Sequence, residues 1–282
     1  MRRLSRLLLM LIFGPILSVG YEAYAETTPV QEVSICGFLG LEAAMFEAWR
    51  DIAVRGPLAR KVNGFDYSPI DVKTSDRRSL KGYRISAKNQ TVATRAILVL
   101  QGNAVLADQL RVDLTYFAGR GFDVFIFDYR GYGKSNGTPL LKPISLDQAL
   151  ITEKVRGKGY KQIFLYGISM GGIYSLGPHM PINKFEAVAI DSTPAKLPWY
   201  SFCPSQYDPI ANVPSDASNV LVISGGRDEV ISASDVEPLG RAIEAHNGKY
   251  RHVLDFGHPL MDSTKNTRNR FRIIADFFEG KH

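Results

Sequence analysis

The chain is short of cysteine, with two among 282 residues, which excludes a disulfide-dense scaffold. It carries no strong excess of one charge sign: 34 basic against 28 acidic side chains gives +6, and no block of like charge argues for nucleic acid. No fixed-period repeat or low-complexity tract is present, which removes solenoids and linker-like proteins. The apolar run Leu7 to Val19 has thirteen residues and is interrupted by Gly14-Pro15. That is too short to cross, as a helix, a hydrocarbon layer of roughly 30 Å. No cysteine follows it closely, so a lipoprotein anchor is not expected.

What is present at that end has a different use. Arg2, Arg3 and Arg6 precede the run, and Ala23-Tyr24-Ala25 follows it with the small-x-small pattern of a processing site. Residues 1–25 therefore read as a signal peptide, with an uncleaved anchor as the alternative, and the mature chain is expected in the periplasm or outside the cell. Its loss removes three Arg and one Glu, leaving 31 basic and 27 acidic residues. Cys36 and Cys203 would then sit in an oxidising compartment, where a bridge and two separate thiols are equally open readings. The basic stretch Lys265, Arg268, Arg270 and Arg272 is expected to be a solvated helix face, with transient contact to an anionic lipid surface as the other reading.

Residues 26–64 read as a tail and an accessory helix. Phe38, Leu41, Met45, Trp49 and Ile52 recur every three or four positions, which predicts a helix over 38–52 packing that stripe on the domain. A flap or membrane-facing element is the alternative. Residues 65–282 alternate differently. Apolar strands are predicted at 83–87, 96–100, 123–127, 162–166, 186–190, 220–224 and 251–255. Helices are predicted at 105–117, 146–155, after Ser169, at 234–245 and at 264–278. Strands apolar on both faces and separated by helices mean an α/β domain with a mostly parallel sheet covered on both sides. In such sheets chemistry gathers at the carboxyl ends of the strands.

Gly167-Ile168-Ser169-Met170-Gly171 follows one of those strands and opens a helix. A serine on so sharp a turn needs glycines two residues to either side, and its hydroxyl is held clear of the sheet. It becomes a nucleophile when a base takes its proton and a third group orients the base. Of five histidines, His258 alone occupies a loop just after the last strand. Asp228 follows the 220–224 strand and completes the order Ser169, Asp228, His258; Asp191, after the preceding strand, is its rival. The backbone N–H of Met170 and that of Asn103, in the loop after Leu100, are the candidate oxyanion donors, Asn103 doubling as a helix cap.

From about Asp71 onward the chain resembles the α/β-hydrolase superfamily. It is most similar to compact members with H-G-N, D-Y-R-G-Y-G-x-S and G-x-S-x-G-G segments. Here these read Gln101-Gly102-Asn103, Asp128-Tyr129-Arg130-Gly131-Tyr132-Gly133-Lys134-Ser135 and Gly167 to Gly172. Gln101 replaces the usual histidine, and Val105 stands where a small residue is common. The resemblance implies the α/β-hydrolase fold with a small cap or none, because only about thirty residues separate Asp191 from Val220. Trp199, Tyr200, Phe202 and Tyr207 lie there, as a wall for an acyl chain or as aromatics pinning a loop. The expectation is a monomeric exported serine hydrolase of an ester or thioester, forming an acyl-enzyme on Ser169 without metal or organic cofactor. Its substrate would be a small or lipid-like acyl compound. A serine peptidase and a non-catalytic binding protein of the same fold are the alternatives.

Overall fold

The computed structural model describes residues 32–37, 41–55, 64–88, 92–198 and 201–281. The expected signal segment, Phe38, Trp199 and Tyr200 lie outside the described residues. Among the described residues, eight strands form one sheet in the order β1-β2-β4-β3-β5-β6-β7-β8. They are β1 Tyr67–Lys73, β2 Ser79–Ile85, β3 Arg95–Leu100, β4 Asp123–Phe127, β5 Gln162–Ile168, β6 Ala187–Asp191, β7 Val220–Gly225 and β8 Lys249–Val253. β1 and β2 are antiparallel to their neighbours, and the remaining pairs are parallel. The helices are α1 Leu41–Arg55, α2 Ala107–Gly119, α3 Leu141–Arg156, α4 Met170–Ser175, α5 Ala233–Ala245 and α6 Thr264–Phe278. This is the α/β-hydrolase fold.

The period-two alternation of strand side chains divides the core in two. Leu98 and Leu100 of β3 join Ile144 and Ile151 of α3 and Val236 and Leu239 of α5 on one face. Ile97 and Val99 join Leu110, Leu114 and Phe117 of α2 and Phe271, Ile274 and Phe278 of α6 on the other. β1 escapes a sequence reading because only Val72 of its seven residues is buried, and Pro69 is tolerated because this is an edge strand. β8 ends at Val253, so Asp255 is not inside it; that carboxylate is exposed and pairs with Arg227 at 3.0 Å. α3 begins at Leu141 rather than 146 because Pro143 falls in its first turn, where a missing N–H costs nothing.

The segment before the sheet is tied down by two carboxylates. Glu42 accepts from the backbone N–H groups of Ile35 (2.7 Å) and Cys36 (2.9 Å), and from that of Leu141 at the start of α3 (2.6 Å). Glu32 accepts from Thr138 N and Oγ1, both at 2.9 Å, and meets Arg78 at 3.0 Å. Arg130, fully buried, donates to both oxygens of Asp147 at 2.6 Å and reaches Asp76 at 3.0 Å. A guanidinium so buried is tolerable only with such partners. Cys36 and Cys203 form a disulfide that joins this segment to the loop between β6 and β7. Among the described residues, that loop carries the 3₁₀ turns Ser205–Tyr207 and Pro209–Asn212. Tyr207 is buried there while Phe202 is exposed.

Two expectations are corrected. The periodic stripe of α1 faces outward: Leu41, Met45, Trp49 and Ile52 are 56%, 40%, 45% and 51% exposed, whereas Glu42, Phe46 and Ala53 are buried. The basic stretch of α6 is not wholly solvated, since Arg270 is fully buried.

Candidate active site

β5 runs directly into Ser169, whose backbone takes φ 53° and ψ −116°. A non-glycine residue held there stores about 1–3 kcal/mol, and the surroundings enforce it. Ser169 N–H donates to the Asp191 carbonyl at 2.8 Å, and its own carbonyl accepts from Thr193 Oγ1 at 2.8 Å. The flanking glycines are steric necessities. A Cβ on Gly171 would lie 2.0 Å from the Leu100 carbonyl oxygen, and one on Gly167 would lie 2.3 Å from Ser175 Oγ. The α4 N-terminus begins at Met170, so the N–H of Met170 has no carbonyl partner within the helix.

Asp228 and His258 are brought together as their places after β7 and β8 require. His258 Nδ1 lies 2.9 Å and 3.1 Å from the two Asp228 oxygens. An ionised carboxylate only accepts, so Nδ1 carries the proton and Nε2 is left as the basic nitrogen. Asp228 Oδ1 also accepts from the N–H groups of Val230 and Ile231, each at 2.9 Å. Burial works to raise the Asp228 carboxyl, but the His258 and Ile231 hydrogen bonds outweigh it and leave the group below its ordinary range. Among the described residues, His258 is hydrogen-bonded to Asp228 and not to Ser169 Oγ. Serine–histidine bonds of this kind are often long until substrate binds. A groove of about 400 Å³ runs along His258, lined by Arg227, Val230, Met261, Asp262 and Asn266; Ser169 does not line it.

Asp191, the rival acid, is committed elsewhere. It is fully buried, forms an ion pair with Arg270 Nη1 and accepts from the Tyr166 hydroxyl at 2.9 Å. The sequence reading missed Arg270, whose Nη2 donates to the Gly257 carbonyl at 2.6 Å. Gly257 N–H donates to Asp262 Oδ2 at 2.8 Å. The peptide groups on both sides of Gly257, next to His258, are thereby fixed.

The loop after β3 passes beside Ser169, since a Cβ on Gly102 would lie 3.6 Å from Ser169 Cβ. Asn103 is not a helix cap. α2 starts at Ala107, whose N–H donates to Asp128 Oδ1 at 2.8 Å, and Leu106 N–H donates to Gln109 Oε1 at 2.8 Å. Asn103 Oδ1 instead accepts from the Tyr132 hydroxyl at 2.5 Å, and the Tyr129 hydroxyl donates to the Gln101 carbonyl at 2.5 Å. The two tyrosines of the D-Y-R-G-Y-G segment thus hold the loop at both ends, a role visible in the sequence only as a motif. The Gln101 side chain is fully buried and lies against the Asp128 carboxyl. Among the described residues no cluster of His, Cys, Asp or Glu could hold a metal ion.

Residues 92–189, from before β3 to within β6, match the family model described as serine aminopeptidase, S33. The chain is 23% identical over 242 residues to protein bem46 of Schizosaccharomyces pombe, covering 78% of this chain and 79% of that protein. It is 30% identical over 186 residues to the α/β hydrolase domain-containing protein aho-3 of Caenorhabditis elegans, covering 56% of this chain. The match spans 54% of aho-3. Among solved structures, the Pyrococcus furiosus esterase Pf2001 superposes with a TM-score of 0.61 at 18% identity, over 79% of this chain and 97% of its own.

Proposed function

We propose that this chain, which has the α/β-hydrolase fold, is an exported serine hydrolase that cleaves a carboxylic ester or thioester through an acyl-enzyme on Ser169. The observation that carries this reading is the paired Asp228–His258 at the same sheet edge as a serine held at positive φ. Ser169 Oγ attacks the carbonyl carbon while its proton passes to His258 Nε2, and Asp228 stabilises the imidazolium. The negative oxygen of the tetrahedral intermediate is met by the N–H of Met170 and the N–H of Asn103. The intermediate collapses, and the leaving group departs with the proton from His258. Water then repeats the sequence and frees the acid.

Export is part of the same proposal. The disulfide between Cys36 and Cys203 supports an oxidising compartment, and intact mass of the secreted species, beginning at Glu26, tests cleavage after Ala25. A peptidase is the second reading, favoured by the description of the matching family model. A fluorophosphonate probe should label Ser169 and leave Ser169→Ala unlabelled. Failure of the folded wild-type chain to label or to turn over any ester, thioester or peptide of a graded panel would favour a non-catalytic binding protein. Within that panel, preference for amides over esters would favour the peptidase.

A further inference from the structure

The outward stripe of α1 is a face that the domain does not use. Leu41, Met45, Trp49 and Ile52 are all at least 40% exposed. Successive helical residues stand about 100° apart, so these four side chains occupy an arc of about 80°. Glu42, Phe46 and Ala53, buried against the body, fill the adjoining arc, and Glu47 and Asp51 project from the opposite side. The uncovered apolar arc is thus about twice as wide as the covered one, and the exposed acidic residues Glu47 and Asp51 lie outside it. Singly scattered exposed apolar side chains are ordinary, whereas these four are contiguous on one helix face.

We infer that this stripe docks the enzyme on a lipid surface, with α1 lying along the headgroup boundary. Size selects that occupant. A helix of 15 residues is about 22 Å long and about 10 Å wide, presenting roughly 200 Å². A stable protein partner or a second copy of the chain needs about 800 Å² from each side. A bilayer needs only an amphipathic helix with Trp and aliphatic side chains on one face. The position also fits. The Tyr132 hydroxyl lies 3.0 Å from the Phe46 carbonyl of α1 and 2.5 Å from Asn103 of the oxyanion loop. A docked α1 therefore holds the Ser169 edge beside the membrane, and the acyl substrate is one drawn from a lipid aggregate. That last clause rests on the hydrolase reading; docking itself does not.

The test uses the mature chain carrying Ser169→Ala, so that binding is measured without turnover. Trp49 and Trp199 are the only tryptophans, and Trp199→Phe makes Trp49 the sole reporter. With vesicles of phosphatidylcholine, alone or mixed with phosphatidylglycerol, the protein should co-sediment. Trp49 emission should shift to the blue and be quenched by brominated lipid. Leu41→Gln/Ile52→Gln, both at exposed sites, should keep the melting temperature and weaken vesicle binding about tenfold or more. In the catalytically intact chain the same pair should leave hydrolysis of a soluble short ester unchanged and slow hydrolysis of a vesicle-borne acyl ester. Trp49 emission unmoved by either vesicle would overturn docking. So would a concentration-dependent dimer that the Gln pair dissolves, since the stripe would then be a self-contact. Vesicle binding by a wild-type chain that a fluorophosphonate cannot label would leave docking standing and remove the hydrolase reading.

Discussion

Arg270 pairs with Asp191 in the interior beneath the site, and the same guanidinium holds the carbonyl of Gly257, the residue before His258. The acid that could have rivalled Asp228 is thereby turned into a support for the histidine loop. Asp228→Asn should lower kcat on the order of 10⁴-fold, because the amide no longer selects the tautomer that leaves Nε2 basic. Asp191→Asn should cost far less activity. Arg270→Ala should instead destabilise the fold by about 3–5 kcal/mol, because it strands a buried carboxylate. Steady-state kinetics and urea denaturation of the three variants measure both effects. A larger activity loss for Asp191→Asn than for Asp228→Asn would reverse the assignment.

Tyr129 and Tyr132 hold the loop after β3 through their hydroxyls. Each loses one hydrogen bond on replacement by Phe, a cost of about 0.5–1.5 kcal/mol. Tyr129→Phe releases the Gln101 carbonyl and Tyr132→Phe the Asn103 side chain, the two ends of the segment proposed to present the Asn103 N–H. Tyr129→Phe and Tyr132→Phe are therefore expected to lower kcat about three- to tenfold with little change in KM. An increase in KM alone would mean that the tyrosines shape the binding site rather than the oxyanion donors.

The disulfide closes 167 residues of chain and should contribute about 2–4 kcal/mol, mainly by restricting the unfolded state. The double replacement Cys36→Ser/Cys203→Ser should lower the denaturation midpoint accordingly and leave kcat nearly unchanged. Thiol titration of the wild-type chain, unfolded without reductant, should find no free sulfhydryl.

The fold was legible because its signals are local. Ile97 to Leu100 and Val220 to Ile223 are apolar on both faces, and Ser169 announces itself through glycines whose necessity lies within a few residues. Asp228 and His258 followed from strand order. What stayed hidden depends on partners distant in sequence. Arg270 looks like one more cation in a polar helix until Asp191, 79 residues away, is brought against it. Asn103 has the composition of a cap, yet Asp128 supplies that service from another strand's end. The stripe of α1 shows the limit of periodicity, which reports that a helix has an apolar face and not that the body covers it.

Asp128 supplies the pH prediction. Its carboxyl is buried against the start of α2, and burial raises it from 3.8 to about 6, against the opposing hydrogen bonds of Ala107 N–H, Lys134 N–H and the Gln101 side chain. Folding therefore favours the protonated form. Below pH 3.8 the group is protonated in both states and its contribution is fully present. Between 3.8 and about 6 the unfolded chain has released the proton while the folded chain retains it, so stability falls as pH rises. Above about 6 the loss is complete, on the order of 2–3 kcal/mol. Asp128→Asn cannot titrate and should flatten this part of the stability profile, measured by denaturant midpoints across pH 4 to 7. Part of its gain at neutral pH will be offset, because the amide NH₂ cannot accept from Lys134. A variant with the same downward slope between pH 4 and 6 as the wild type would show that Asp128 is ionised throughout that range.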